Sequence, residues 1–165
     1  MVQNISKDKL LTLYIKENQE SFYRLAYSYV KNSDTALDLV QDAIVKALQK
    51  RETLKNEEYL KTWFYRILIN ECLMYIRKNK RIVYINDLEE YIPNDSFIDN
   101  HDDVEQLYNA IEELETNLKT IVLLRFFEDM KLCEIANITN TNLNTVKSRL
   151  YKALNLLRLK VEDFQ

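Results

Sequence analysis

Between Asn142 and Lys152 the chain reads NLNTVKSRLYK. On a helix this stretch sets Val146, Leu150, Ala153, Leu154 and Leu157 on one face. Asn144, Lys147, Ser148, Tyr151 and Lys152 fall largely on the other, with Thr145 and Arg149 in the same N-terminal turns. Amides, hydroxyls and cations so grouped donate to phosphate oxygens and to base edges in a major groove. A second basic block covers residues 46–81, with ten Lys/Arg against four Glu. Covalent chemistry has no comparable candidate. The sole histidine, His101, lies in an acidic stretch, and the chain has no glycine with which to cradle a phosphate. Cys72, Cys133 and His101 lack the spacing of a zinc site. The sequence therefore predicts no catalytic residue, no metal and no cofactor, and two buried, reduced cysteines of a cytosolic protein.

The elements that hold such residues follow from the turns. Four asparagines fall within residues 135–144. With no glycine available, asparagine is the residue best able to take a left-handed backbone conformation. The segment Leu132–Ile138 predicts a short helix with Ile135, Ala136 and Ile138 turned inward. Asn140 is expected to make the left-handed turn, and Asn142 to cap the next helix by accepting from the backbone N–H of Thr145. A short helix, a tight turn and a basic second helix make a helix-turn-helix.

Composition extends this reading to the whole chain. Its 165 residues fit one ordinary domain or two small ones. The lack of glycine and the single proline, Pro93, argue against hairpins and sandwiches and for helix. No apolar run approaches the roughly 20 residues that a bilayer requires, and the start MVQNISKDK has no apolar signal region. Helices are expected over about 7–31 (Phe22, Leu25, Ala26, Tyr29 and Val30 at core spacing), 33–50 and 57–80. Leu37, Val40, Ile44 and Leu48 form the expected core stripe of the second. Leu60, Phe64, Ile67, Leu68 and Tyr75 form that of the third, with Trp63 also placed inside. Periodicity fails from Ile82 to Asp103 and resumes at Val104, Leu107, Tyr108, Ile111 and Leu114; another helix is expected over about 117–127. Charge divides along the same lines: residues 46–81 carry a net +6, residues 82–115 a net −11 and residues 142–165 a net +3. Two cationic surfaces separated by an anionic segment suit a protein that meets polyanions twice. The fold class is all-α, with two small helical domains, 1–82 and 104–165, joined by an acidic linker at 83–103.

The stretch LETNLKTIVLLRFFEDMKLCEIANITNTNLNTVKSRLYKAL resembles region 4 of bacterial sigma factors. NSDTALDLVQDAIVKAL, followed by YLKTWFYRILINECLMYIRKNKR, resembles region 2. In order, and without a domain between them, they are similar to the sigma-70 family's extracytoplasmic-function-like group. The resemblance implies a cytoplasmic, non-enzymatic specificity subunit that binds core RNA polymerase and promoter DNA and is held by an anti-sigma factor, with no small-molecule substrate. It assigns Asp38, Gln41 and Asp42 to the polymerase. To the −10 element it assigns Arg51, Lys55, Asn56, Arg66, Asn70, Arg77, Lys78, Lys80 and Arg81, with Asn70 in a pocket for an unstacked base. To the −35 element it assigns Asn144, Thr145, Lys147, Ser148, Arg149, Tyr151 and Lys152. The loop RETLKN departs from the family by lacking its aromatic and serine. A competing reading is an ordinary helix-turn-helix regulator, whose sensory domain would have no need of the +6 block.

Overall fold

The computed structural model describes residues 6–83 and 102–163. Every regular element among them is helical. The chain divides into two compact units, one ending at Val83 and one following it. The expected linker lies, from residue 84 to residue 101, outside the described residues, as does His101.

In the first unit α1 (Lys7–Val30) starts at Ser6, whose hydroxyl accepts from the backbone N–H of Lys9 at 3.3 Å. It stops at Lys31, which is left-handed with φ 53°. α2 (Ser33–Gln49) is capped by Asn32, whose side-chain oxygen accepts from the Thr35 N–H at 3.0 Å. Two short 3-10 turns, Arg51–Thr53 and Glu57–Tyr59, lead into α3 (Leu60–Val83). The three helices pack on one another around an aromatic centre. Phe22 stacks on Phe64 with ring centroids 4.3 Å apart, and Tyr65 meets Phe22 edge-on at 5.5 Å. Such pairs add about 0.5–1.5 kcal/mol each beyond their area.

Two core expectations are corrected here. α2 turns Ala36, Leu39, Val40, Ala43 and Ala47 inward. Of the expected stripe only Val40 is buried; Leu37 is 48% and Leu48 38% exposed, and Ile44 is half-buried. Three alanines give α2 a flat face that its neighbours can approach closely, and Leu37 and Leu48 are rotated outward. On α3, Leu60, Phe64 and Leu68 are buried as expected, whereas Ile67 and Tyr75 are half-buried. Trp63 is also half-buried and Tyr65 takes the core place.

The second unit contains α4 (Asp102–Glu112), α5 (Thr116–Val122), α6 (Leu132–Thr139) and α7 (Leu143–Asp163). α7 is its spine, with α4, α5 and α6 packed on it. Leu118, Ile121, Leu124, Ile135, Val146 and Leu157 are central to this core. On α4, Ile111 is buried but Val104, Leu107 and Tyr108 are exposed, contrary to their helical-period reading. α5 passes into a π-helical turn, Leu123–Phe127, rather than running on as an α-helix to Phe127. The wider turn leaves Leu123 and Leu124 inside and Phe126 and Phe127 outside. Asp129, with φ 51°, closes it. Lys119 lies buried on α5, and that burial lowers its pKa. Cys72 is buried but Cys133 is exposed, which corrects the expectation for the latter. No helix among the described residues is long and apolar enough to cross a membrane.

Candidate nucleic-acid interface

The α6–α7 corner is built by its turn. Asn140 is left-handed, φ 51° and ψ 44°, the conformation expected of it. Its N–H donates to the Asn137 carbonyl at 3.2 Å, and the Thr141 N–H donates to that of Ala136 at 3.0 Å. These are the two reversed bonds of a Schellman ending. The Thr139 hydroxyl donates to the Ile135 carbonyl at 2.8 Å. Its one proton is thereby used, so the Thr141 hydroxyl is the donor in their 2.8 Å contact. Asn142 caps α7, but its side-chain oxygen accepts from Asn144 N–H at 2.8 Å rather than from Thr145. Of the predicted inner face, Val146, Ala153 and Leu157 are buried, Leu150 is half-buried and Leu154 is exposed.

The corner presents Asn144, Lys147, Ser148, Tyr151 and Lys152 to solvent, with Thr145 and Arg149 half-buried beside them. Tyr151 is 74% exposed. Ser148 spends its hydroxyl proton on the Asn144 carbonyl, 2.9 Å away, and so offers outward lone pairs rather than a donor.

The first unit presents a different surface. Tyr59, Trp63, Arg66, Asn70, Met74 and Arg77 recur at intervals of three and four and form one outward stripe. From Trp63 to Arg77 it runs about 21 Å at the helical rise. Two rings lead it, and a cation, an amide, a thioether and a second cation follow. Trp63 is held in place by its indole N–H, which donates to the Thr53 hydroxyl at 3.1 Å. Beside the stripe, between α2 and α3, lies a cleft of about 350 Å³ lined by Lys46, Lys50, Ile67, Asn70, Glu71, Leu73, Met74 and Arg77. Three cations face one carboxylate there, and Lys46 donates to Glu71. Behind the cleft, burial pushes the Cys72 thiol up to about 12, with the Glu71 charge adding to the shift. Cys72 is thus a fixed, protonated core residue.

The predicted residues of this unit divide accordingly. Asn70 and Arg77 line the cleft, and Asn70 is exposed there rather than enclosed by apolar neighbours. Arg66 and Lys78 are exposed on α3, and Lys55 is exposed in the loop. Asn56 uses its side-chain oxygen to accept from the Glu58 N–H at 3.0 Å. Arg51 is tied to Asp8 at 2.9 Å and donates to the Leu48 carbonyl at 2.7 Å, so it braces the loop against α1. The side chains of Lys80 and Arg81 lie outside the described part. Asp38, Gln41 and Asp42 are exposed on α2, and Leu37, Val45 and Leu48 are exposed on the same helix. Sequence reasoning missed Lys46, Lys50, Tyr59 and Met74. The available signal was their register: Lys46 and Lys50 are four apart at the end of α2, and Tyr59 and Trp63 are four apart ahead of Arg66.

Comparison with known proteins matches each unit to a family region. Residues 14–82 match the model of Sigma-70 region 2, and residues 104–157 that of Sigma-70, region 4. RNA polymerase sigma factor SigV of Bacillus subtilis is 47% identical over 152 residues, which span 92% of this chain and 91% of that protein. The ECF RNA polymerase sigma factor SigW of the same organism is 26% identical over 164 residues, spanning 88% of this chain and 85% of that protein. Among solved structures, the sigma factor RpoE in complex with the anti-sigma factor NepR, from Bartonella quintana, is similar at a TM-score of 0.76 and 25% identity. That likeness covers 92% of this chain and 96% of the other. CnrH, solved with the cytosolic domain of CnrY, shares the fold at a TM-score of 0.70 and 15% identity, over 94% of this chain and 89% of its own. Two region models in family order, on units that each present a basic face, and a near-full-length relative at 47% identity lead to one assignment: the chain belongs to the sigma-70 family of RNA polymerase sigma factors, in its extracytoplasmic-function group.

Proposed function

We propose that the chain binds core RNA polymerase and directs it to promoters by gripping two DNA elements in two different forms. It works in the cytoplasm, where the polymerase is, and supplies recognition while the polymerase does the bond chemistry. The N-terminal half of α7 enters the major groove at the −35 element. Arg149 and Lys152 contact phosphates and base edges there, Asn144 and Lys147 add donors, and Ser148 and Tyr151 complete the face. At the −10 element the α3 stripe carries the opened strand. Its rings stack on bases, its cations meet phosphates, and the cleft at Asn70 accepts one unstacked base. The outer face of α2 docks on the polymerase through Asp38, Gln41 and Asp42, joined by Leu37, Val45 and Leu48. Exposed leucines mixed with acids suit an interface core and rim. An anti-sigma factor is the expected inhibitor, the kind of partner named for RpoE of Bartonella quintana.

The observation that carries this reading is the contrast between the faces: a donor-rich helix start in one unit, a stripe of rings and cations with a cleft beside it in the other. Run-off transcription with core polymerase over a library of promoters tests it. Transcripts should require the chain and depend on both elements. A regulator would repress or activate a polymerase already equipped with another specificity subunit and would not bind the bare core. No transcript from any template and no binding to core would remove the proposal.

A further inference from the structure

We infer that Glu71 is a positioning residue that makes the α2–α3 cleft accept a base rather than a phosphate. The inference rests on the proposed role of that cleft in taking one base of the opened strand. Glu71 is buried, directly after Asn70 on α3. A buried carboxylate requires a partner, and its partner is Lys46, twenty-five residues away on α2. The Lys46 side chain is 38% exposed and Glu71's is 9% exposed, so the pair runs from the cleft wall inward.

Two consequences follow from that geometry. A lysine side chain has a flexible four-carbon stem, and the ion pair fixes one end of it. The carboxylate also cancels the ammonium charge inside the cleft, while Lys50 and Arg77 remain exposed cations among its lining. Phosphate is therefore drawn to Lys50 and Arg77. Beside the near-neutral pair, the Asn70 amide meets a group that is flat, uncharged and able to hydrogen-bond, which is a nucleobase. Without the Glu71 charge, Lys46 becomes a third phosphate-binding cation and the cleft loses its preference.

The alternative is that the pair merely clamps α2 to α3. Binding of the full chain with core polymerase to single-stranded −10 oligonucleotides, one intact and a series each lacking one base, separates the two. Stacking and pocket contacts at one base correspond to about a 10–100-fold effect. The wild type should show a loss of at least about tenfold at a single abasic position. In Glu71→Gln that loss should shrink to within about twofold, and the log–log salt slope should steepen by about 0.7 for the freed cation. Lys46→Met removes the cation that Glu71 offsets and should keep the abasic effect. Glu71→Gln combined with Lys46→Met removes both charges, so the abasic effect should return even though no ion pair is left to clamp the helices. Should Glu71→Gln fail to fold, Lys46→Met and the double variant carry the test. A full abasic effect in folded Glu71→Gln, or its loss in either folded variant that lacks Lys46, overturns the inference. If no abasic position matters in the wild type, the inference falls together with the reading of the cleft.

Discussion

The two basic faces are made from the same few residue types on the same kind of helix, yet they suit different forms of DNA. On α7 the cations sit among amides and hydroxyls at the helix start, and Tyr151 is the single exposed ring. Along α3 and the turn before it, Tyr59 and Trp63 are followed by Arg66, Asn70, Met74 and Arg77, and a cleft opens alongside. A duplex hides the faces of its bases and shows their edges; an opened strand offers the faces. Net charge does not separate the two cases, since both blocks are positive. What separates them is a stacking surface and a concavity, both of which come from packing rather than composition.

The largest effect that would break this contrast is loss of one unit's core. Phe64 is fully buried and stacked on Phe22, so Phe64→Ala should cost about 3–5 kcal/mol in the first unit. Single-strand binding should vanish while a −35 duplex fragment, read in the same gel-shift series, is still bound. Equal loss of both would mean that the faces do not act separately.

Next in size are the faces themselves. Trp63→Ala removes a ring held by Thr53 and should weaken single-strand binding by about 1–3 kcal/mol, with the duplex unaffected. Arg149→Ala should cost about 1–3 kcal/mol at a −35 duplex, and Lys152→Ala should lower the duplex salt slope by about 1 if it meets a phosphate. Neither should alter the melting temperature by more than a few degrees or touch the single strand. Fluorescence anisotropy with both probes gives the binding results, and thermal melts give the stabilities. A Trp63 variant that weakens the duplex, or an Arg149 variant that weakens the strand, would erase the distinction.

Much of the scaffold was legible because its signals are local. The asparagine caps, the helix-turn-helix and the left-handed Asn140 follow from side-chain chemistry within a few residues. The helix phases were less so. Along α2 the leucines outweigh the alanines in any periodic count, yet Ala36, Ala43 and Ala47 face the core because close approach favours small residues there. Trp63 leaves its expected core place and Tyr65 takes it: the indole has a polar partner in Thr53, and Tyr65 packs edge-on against Phe22 of α1. Beyond Asn70 and Arg77, the lining of the cleft was not legible. Lys46 and Glu71 are twenty-five residues apart, and only the packing of α2 on α3 brings them together.

The smallest predicted effects compare how the units end their helices without glycine. Three residues among those described have positive φ: Lys31, Asp129 and Asn140. A left-handed residue with a Cβ costs roughly 1–2 kcal/mol, and asparagine tolerates the conformation best because its short amide bonds locally. Glycine relieves that cost but loses about 0.5–1 kcal/mol in chain entropy. Lys31→Gly should therefore stabilise the first unit by about 0.5–1 kcal/mol, less whatever its ammonium contributes over the Tyr27 ring at 6.0 Å. Asn140→Gly should change the second unit by no more than a few tenths of a kcal/mol. Thermal melts of the two variants compare them directly. Equal gains would show that asparagine has no advantage at this turn, and that the asparagines of residues 135–144 serve as helix caps and DNA donors rather than as substitutes for glycine.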